Sequence, residues 1–201
     1  AGTLAPENTM AAFALGARKG WRMFECDVKL SADEVAFLLH DDDLDRTTNG
    51  QGLAARFDWS ALAQLDAGQW HSPAHGGEPL CTLASLSAWC LDRDMRLNIE
   101  IKPTPGLEWQ TGWVVAKLAA ALWHNAPLPP LLTSFQPESL RAAAQAAPDL
   151  PRGLLLEEWL KQDLAQVAAQ GYSALVCHYP LWTPQRLEAA AQAGLWRMSY
   201  T

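Results

Sequence analysis

Charge is scarce in this chain, and positive charge more so: 18% of the residues are Asp, Glu, Lys or Arg, with 15 basic against 22 acidic, for a net charge of −7. A nucleic-acid groove needs clustered Lys and Arg, so the balance argues against that class of partner. Long apolar runs are lacking too. No stretch approaches the roughly 18 residues of a membrane span, and no basic leader precedes an apolar segment, so nothing points to a span or to secretion. Cysteine is limited to Cys26, Cys81, Cys90 and Cys177, without Cys-x-x-Cys spacing, and two of these lie in runs that read as buried strands. Reduced thiols in a cytoplasmic protein fit better than disulfides. Glycine-rich phosphate loops are missing after every strand-like run, which argues against a nucleotide-binding sheet. No Gly-x-Ser-x-Gly elbow surrounds Ser134, so a serine hydrolase is not indicated.

What is present is a core and one unusual strand. An apolar content of 49% over 201 residues excludes disorder and suffices for one domain, residues 1–201. Phe24 to Leu30 reads as a strand, yet carries Glu25 and Asp27 two residues apart. Strand side chains alternate, so both carboxylates share a face, and two like charges there are unfavourable unless a cation lies between them. Val35 to His40 reads as the next strand. Four residues, Ser31 to Glu34, join the two runs, too few for a parallel crossover, so the runs should pair as an antiparallel hairpin turning near Asp33. His40 then lies level with Cys26. Taken by itself, the hairpin is equally consistent with an edge ribbon whose acidic face is solvated.

The rest of the chain alternates helix and strand. Helices are expected over 8–19, after Asp58, after Thr82, and over 108–123, 137–146, 159–170 and 184–193; Thr183, Pro184 and Gly194 bracket the last. Strands are expected over 96–102, 131–135, 153–156, 174–178 and 195–201. With the Glu25 strand this makes six parallel strands joined by helices, an (α/β) barrel short of two strands. Barrel chemistry gathers at the carboxyl ends of strands, and there Glu100 joins Glu25 and Asp27, with Lys102 on the face of Glu100. Three carboxylates without Cys or clustered His describe a hard-cation site, Mg²⁺ or Ca²⁺. Lys102 and Arg46 supply positive charge for an anionic substrate; the plainer reading of Lys102 is a surface lysine paired with Glu100. Asp41 to Asp45 imitate a calcium loop, but Arg46 stands where glycine is required and Gly52 where glutamate is, so these acids are expected to cap turns, face solvent or orient His40 and Arg46. His71, His75, His124 and His178 lack ligand spacing and read as surface or packing residues, with His178 on the functional rim. Most of the ten tryptophans read as core.

Ala5-Pro6-Glu7-Asn8-Thr9, Glu25-Cys26-Asp27-Val28, His40 to Gly50, Asn98 to Lys102 and Ser134-Phe135 occur in an order and spacing that resembles the glycerophosphodiester phosphodiesterases, above all the bacterial cytosolic type. The resemblance covers essentially the whole chain. It implies a TIM-type (β/α)8 barrel with the His40 arm as a β-hairpin insertion after the second barrel strand. It also implies a divalent cation, Ca²⁺ or Mg²⁺, and hydrolysis of a small-molecule glycerophosphodiester to sn-glycerol 3-phosphate and an alcohol. By the motif match Glu25, Asp27 and Glu100 correspond to metal ligands, His40 to one of two catalytic histidines, and Lys102 to a phosphate-contacting lysine. Family members carry His-Arg-Gly before Ala-Pro-Glu-Asn-Thr and an eighth strand after the Tyr200 position, where they often have Trp. Neither end is found here, so the chain is expected to be truncated at both ends, with an incomplete barrel, exposed edges at 24–28 and 196–200, poor solubility or self-association, and impaired turnover. The alternatives are a lipid-directed relative of the phospholipase C or sphingomyelinase D kind and an inactive metal-binding remnant. The preferred head group and the oligomeric state are left open.

Overall fold

The alternating pattern builds a single sheet, seen in a computed structural model that describes residues 3–160 and 163–201. Its strands are β1 Met23–Leu30, β2 Ala36–Leu38, β3 Arg96–Ile101, β4 Leu131–Ser134, β5 Arg152–Leu156, β6 Ala174–His178 and β7 Trp196–Tyr200, in the spatial order β2-β1-β3-β4-β5-β6-β7. From β1 through β3 to β7 every pairing is parallel, six strands as expected, with helices in the crossovers. These are α3 Leu83–Asp92, α4 Glu108–Leu122, α5 Pro137–Ala146, α6 Leu164–Ala169 and α7 Pro184–Gln192. The Thr82 and Thr183 side chains cap α3 and α7 by accepting from Ser85 and Arg186 backbone N–H groups. α1, Met10–Arg18, starts two residues later than expected because Thr9, not a residue before it, is the cap, and α2 is the single turn Trp59–Leu62 that follows Asp58. Among the described residues no helix is long and apolar enough to cross a membrane.

Period-two alternation decides what the sheet shows to each side. Cys26, Val28 and Leu30 of β1 and Leu97, Ile99 and Ile101 of β3 pack in one apolar core with α3 and α4. Glu25, Asp27 and Lys29, with Asn98, Glu100 and the following Lys102, therefore fall on the opposite side.

The hairpin forms as its short connection requires. Val28 opposes Leu38, Lys29 opposes Phe37 and Leu30 opposes Ala36, antiparallel. Leu39 N–H continues the register by donating to Asp27 O at 3.1 Å, so His40 comes level with Cys26. Ser31 N–H donates to Val35 O at 3.1 Å, and Glu34 adopts the left-handed conformation at φ 62° to close the turn. Phe37, Leu39, Leu44 and Leu62 then form a separate small core that anchors the arm.

The sheet does not close. Among the described residues, no strand covers the outer edge of β7 or of the Met23–Cys26 part of β1, and Trp21 and Trp196 beside these edges are 67% and 54% exposed. Asp27 and Val28, expected on the open edge, are instead covered by the arm, through Leu39 N–H to Asp27 O and the pairing of Val28 with Leu38.

Three expectations need correction. Only Trp123 of the ten tryptophans is fully buried, at 5% exposure; Trp109 and Trp113 sit on the outer side of α4 because the sheet-facing side is taken by Val115, Ala116 and Ala119. The helix expected over 159–170 is shorter: it spans Leu164–Ala169 behind an Asp163 cap, Trp159 and Leu160 precede it without regular structure, and residues 161–162 lie outside the described ones. Glu25 is third of the eight residues of β1, not near its carboxyl end, because that strand runs on to Leu30 to pair with β2.

Candidate functional site

Parallel pairing sets Asp27 directly beside Glu100 and Glu25 beside Asn98. With alternation placing Glu25 and Asp27 on one face, one carboxylate oxygen each from Glu25, Asp27 and Glu100 comes within 4.8 Å of the others. Asn8, left-handed at φ 55°, holds the middle member from below. Its Nδ2 donates to Asp27 Oδ2 at 2.8 Å, and its Oδ1 accepts from Asp27 N–H at 3.0 Å. Lys102 reaches over from β3, with Nζ 3.5 Å from Asp27 Oδ1 and 3.7 Å from Glu100 Oε1.

One ammonium does not balance three carboxylates. Crowding by protein atoms, then repulsion from Asp27 and Glu100, pushes Glu25 up to about 8. Removal from water, then Asp27, pushes Glu100 up as well. Glu25 is nevertheless open to solvent, so an ion can reach it. Three acidic oxygens, no sulfur or imidazole, and an electrostatic deficit at the centre suit a hard divalent cation at ligand distances of about 2.3–2.6 Å. Among the described residues this is the only such acidic group.

The three carboxylates, Lys102 and His40 line one cleft of about 940 Å³, with Phe135 and Tyr200 on its far wall. His40 Nδ1 lies 2.7 Å from Asp41 Oδ1. Arg46 binds Asp41 through Nε at 2.6 Å and Nη2 at 3.0 Å, and its hydrogen bonds, with those of His40, hold the Asp41 carboxyl far below its ordinary range. An ionised carboxylate can only accept, so Nδ1 carries the hydrogen of that bond and Nε2 takes no part in it.

Arg46, expected to face an incoming anion, turns elsewhere. Its guanidinium is taken up by Asp41 and by Glu7, at 2.6 and 3.2 Å, and it does not line the cleft. Asp41 thus orients both His40 and Arg46, as the sequence suggested for that loop. His178 ends β6 but stacks on Tyr200 at 5.7 Å between ring centres, while Tyr200 Oη donates to Leu156 O at 3.0 Å. His71 packs edge-on against Trp70 and His75, and Ser134 Oγ donates to Ile101 O at 2.6 Å. Asn8 and Lys29 are the site neighbours that sequence reasoning passed over; for Lys29 the signal was present, since it continues the row Glu25, Asp27.

Comparison with known proteins places the chain among its relatives. The glycerophosphodiester phosphodiesterase of Caldanaerobacter subterraneus subsp. tengcongensis is 35% identical over 152 residues, 76% of this chain and 62% of its own length. A Bacillus subtilis relative is 36% identical over 155 residues, 75% of this chain and 60% of its own. The chain thus spans less than two thirds of the length of these curated relatives. The structure of an Oleispira antarctica phosphodiesterase in complex with the product sn-glycerol-3-phosphate superposes with a TM-score of 0.90 at 30% identity, covering 98% of this chain and 79% of that one. The fold, an open seven-stranded sheet of incomplete barrel type, and a family match that runs over residues 1–201 lead to one conclusion: the chain belongs to the glycerophosphoryl diester phosphodiesterase family.

Proposed function

We propose that the whole protein hydrolyses glycerophosphodiesters to sn-glycerol 3-phosphate and an alcohol, with Ca²⁺ or Mg²⁺ held by Glu25, Asp27 and Glu100. The observation that supports this reading is the convergence of those carboxylates, Lys102 and His40 on one cleft. A bound cation would supply charge to offset the negative charge that grows on the phosphoryl oxygens as phosphorus becomes five-coordinate. Lys102 adds a second positive group beside the same carboxylates. His40, oriented by Asp41, exchanges a proton at Nε2, either with the attacking oxygen or with the leaving alkoxide. Arg46 acts on His40 through Asp41 rather than on the substrate. Four free, buried thiols support a reducing compartment such as the cytoplasm.

The test is release of sn-glycerol 3-phosphate from glycerophosphocholine with Ca²⁺, with Mg²⁺ and with a chelator. Release that depends on the cation is expected, and release unaffected by chelation would remove the metal role. Asp41→Asn provides a finer check. The amide offers His40 Nδ1 either an N–H or a weaker acceptor, so the tautomer is no longer fixed. The turnover rate should fall on the order of 10²-fold, while cation affinity stays unchanged because no ligand touches Asp41.

A further inference from the structure

Lys29 is 1% exposed, the most deeply placed charged side chain in the sheet. Its Nζ makes two bonds, to Asp42 Oδ1 at 2.7 Å and to the backbone oxygen of Lys102 at 3.1 Å. A Leu or Met would occupy such a place without the cost of desolvating an ammonium, so the lysine must owe its presence to what it holds together. On one side is the arm: Asp42 stands two residues after His40, lines the cleft, and fixes the return of the loop by accepting from Ala54 N–H at 3.0 Å through its backbone oxygen. On the other side is the end of β3, where Lys102 N–H already donates to Val28 O at 3.0 Å. The two pieces joined by Lys29 carry the proton-transfer group and the cationic side chain of the site. β2 by itself gives the arm only three paired residues, and His40 lies beyond the last of them.

We propose that Lys29 is a positioning residue: through Asp42 and the Lys102 carbonyl it sets the spacing between His40 and the carboxylate–lysine group on β1 and β3. Its catalytic consequence rests on the diesterase reading; its structural consequence does not. A displacement of about 1 Å in a reacting group can lower a rate on the order of 10²-fold, so a loosened arm should be costly even though Lys29 touches no substrate.

The experiment compares Lys29→Met, Asp42→Ala and Asp42→Asn in the whole protein. Amide hydrogen exchange over residues 39–46 should quicken about tenfold or more in Lys29→Met and in Asp42→Ala, with β3 and β4 unchanged. Asp42→Asn keeps an acceptor for Lys29 and should fall between these and the parent. Calorimetric Ca²⁺ affinity should remain within about twofold, since the ligands belong to β1 and β3, whereas kcat on glycerophosphocholine should drop about 10- to 100-fold with little change in KM. Should Lys29→Met fail to fold, Asp42→Ala, altered on a partly exposed side chain, carries the test. Parent-like exchange over 39–46 in the folded variants overturns the proposal, as does a fall in thermal stability with kcat intact. If the parent itself does not turn over the diester, the diesterase reading falls, and the exchange measurement still decides the role of Lys29.

Discussion

Glu25→Gln is expected to raise the stability of the cation-free protein at pH 8 to 9 while abolishing most of its cation affinity. Glu25 is pushed up to about 8 by crowding and by Asp27 and Glu100, whereas in the unfolded chain it titrates near 4.5. Between those two values the folded protein retains a proton that the unfolded chain has released. Stability attributable to Glu25 is therefore intact below about pH 4.5, declines as pH rises, and is lowest above about 8. Glutamine has no charge to repel Asp27 or Glu100, and among the described residues no side chain depends on Glu25 for a hydrogen bond, so nothing is orphaned by the change. With cation the order reverses. Loss of one of the three proposed anionic ligands should weaken Ca²⁺ or Mg²⁺ binding on the order of 100-fold or more, and the rise in Tm that saturating cation is expected to give the parent should nearly vanish. Cation affinity of the parent should itself increase with pH up to about 8, because binding must displace the Glu25 proton. Melts at pH 6 and 8.5, with chelator and with cation, check both signs. A variant that is less stable without cation and binds it like the parent would show that the three carboxylates do not share an ion.

The parts of this site that were legible in the sequence are those fixed by short-range geometry. The two-residue spacing of Glu25 and Asp27, and of Glu100 and Lys102, commits each pair to one face whatever the rest of the chain does. The four-residue link from Ser31 to Glu34 leaves only a hairpin, and the hairpin carries His40 to the level of Cys26. Longer-range choices were not legible. Arg46 finds Glu7, 39 residues away, because the turn before α1 comes to lie beside the arm, and no local pattern encodes that meeting. The Lys29 ammonium likewise depends on where Asp42 falls four residues beyond the end of β2, where the ladder no longer dictates the backbone. Tryptophan burial failed for a related reason: apolar spacing identifies a helix stripe, but Trp109 and Trp113 lie outside the stripe that small residues Ala116 and Ala119 bring against the sheet. The late start of α6 reflects a competition that composition does not decide, since Asp163 caps it by accepting from Ala165 N–H at 3.1 Å.

On the proposed diesterase reading, His40→Ala in the whole protein should lower turnover of glycerophosphocholine by about 10²–10⁴, equivalent to about 3–5 kcal/mol of transition-state stabilisation, and leave cation binding essentially unchanged. The separation follows from where the groups are attached. Glu25, Asp27 and Glu100 project from β1 and β3, whereas His40 stands on the arm beyond β2, with its side chain 48% exposed. Removing a half-exposed ring creates no core cavity, so Tm should hardly move. The variant also decides which proton His40 handles. If Nε2 protonates the leaving alkoxide, replacing choline by p-nitrophenol, whose anion needs no proton to depart, should recover most of the lost rate. If Nε2 instead takes the proton from the attacking oxygen, the loss should be the same for both leaving groups, and added imidazole, entering the space the ring vacated, should restore part of it with either substrate. Parent-like kcat on both substrates would exclude His40 from the proton transfers and leave the arm only a structural part.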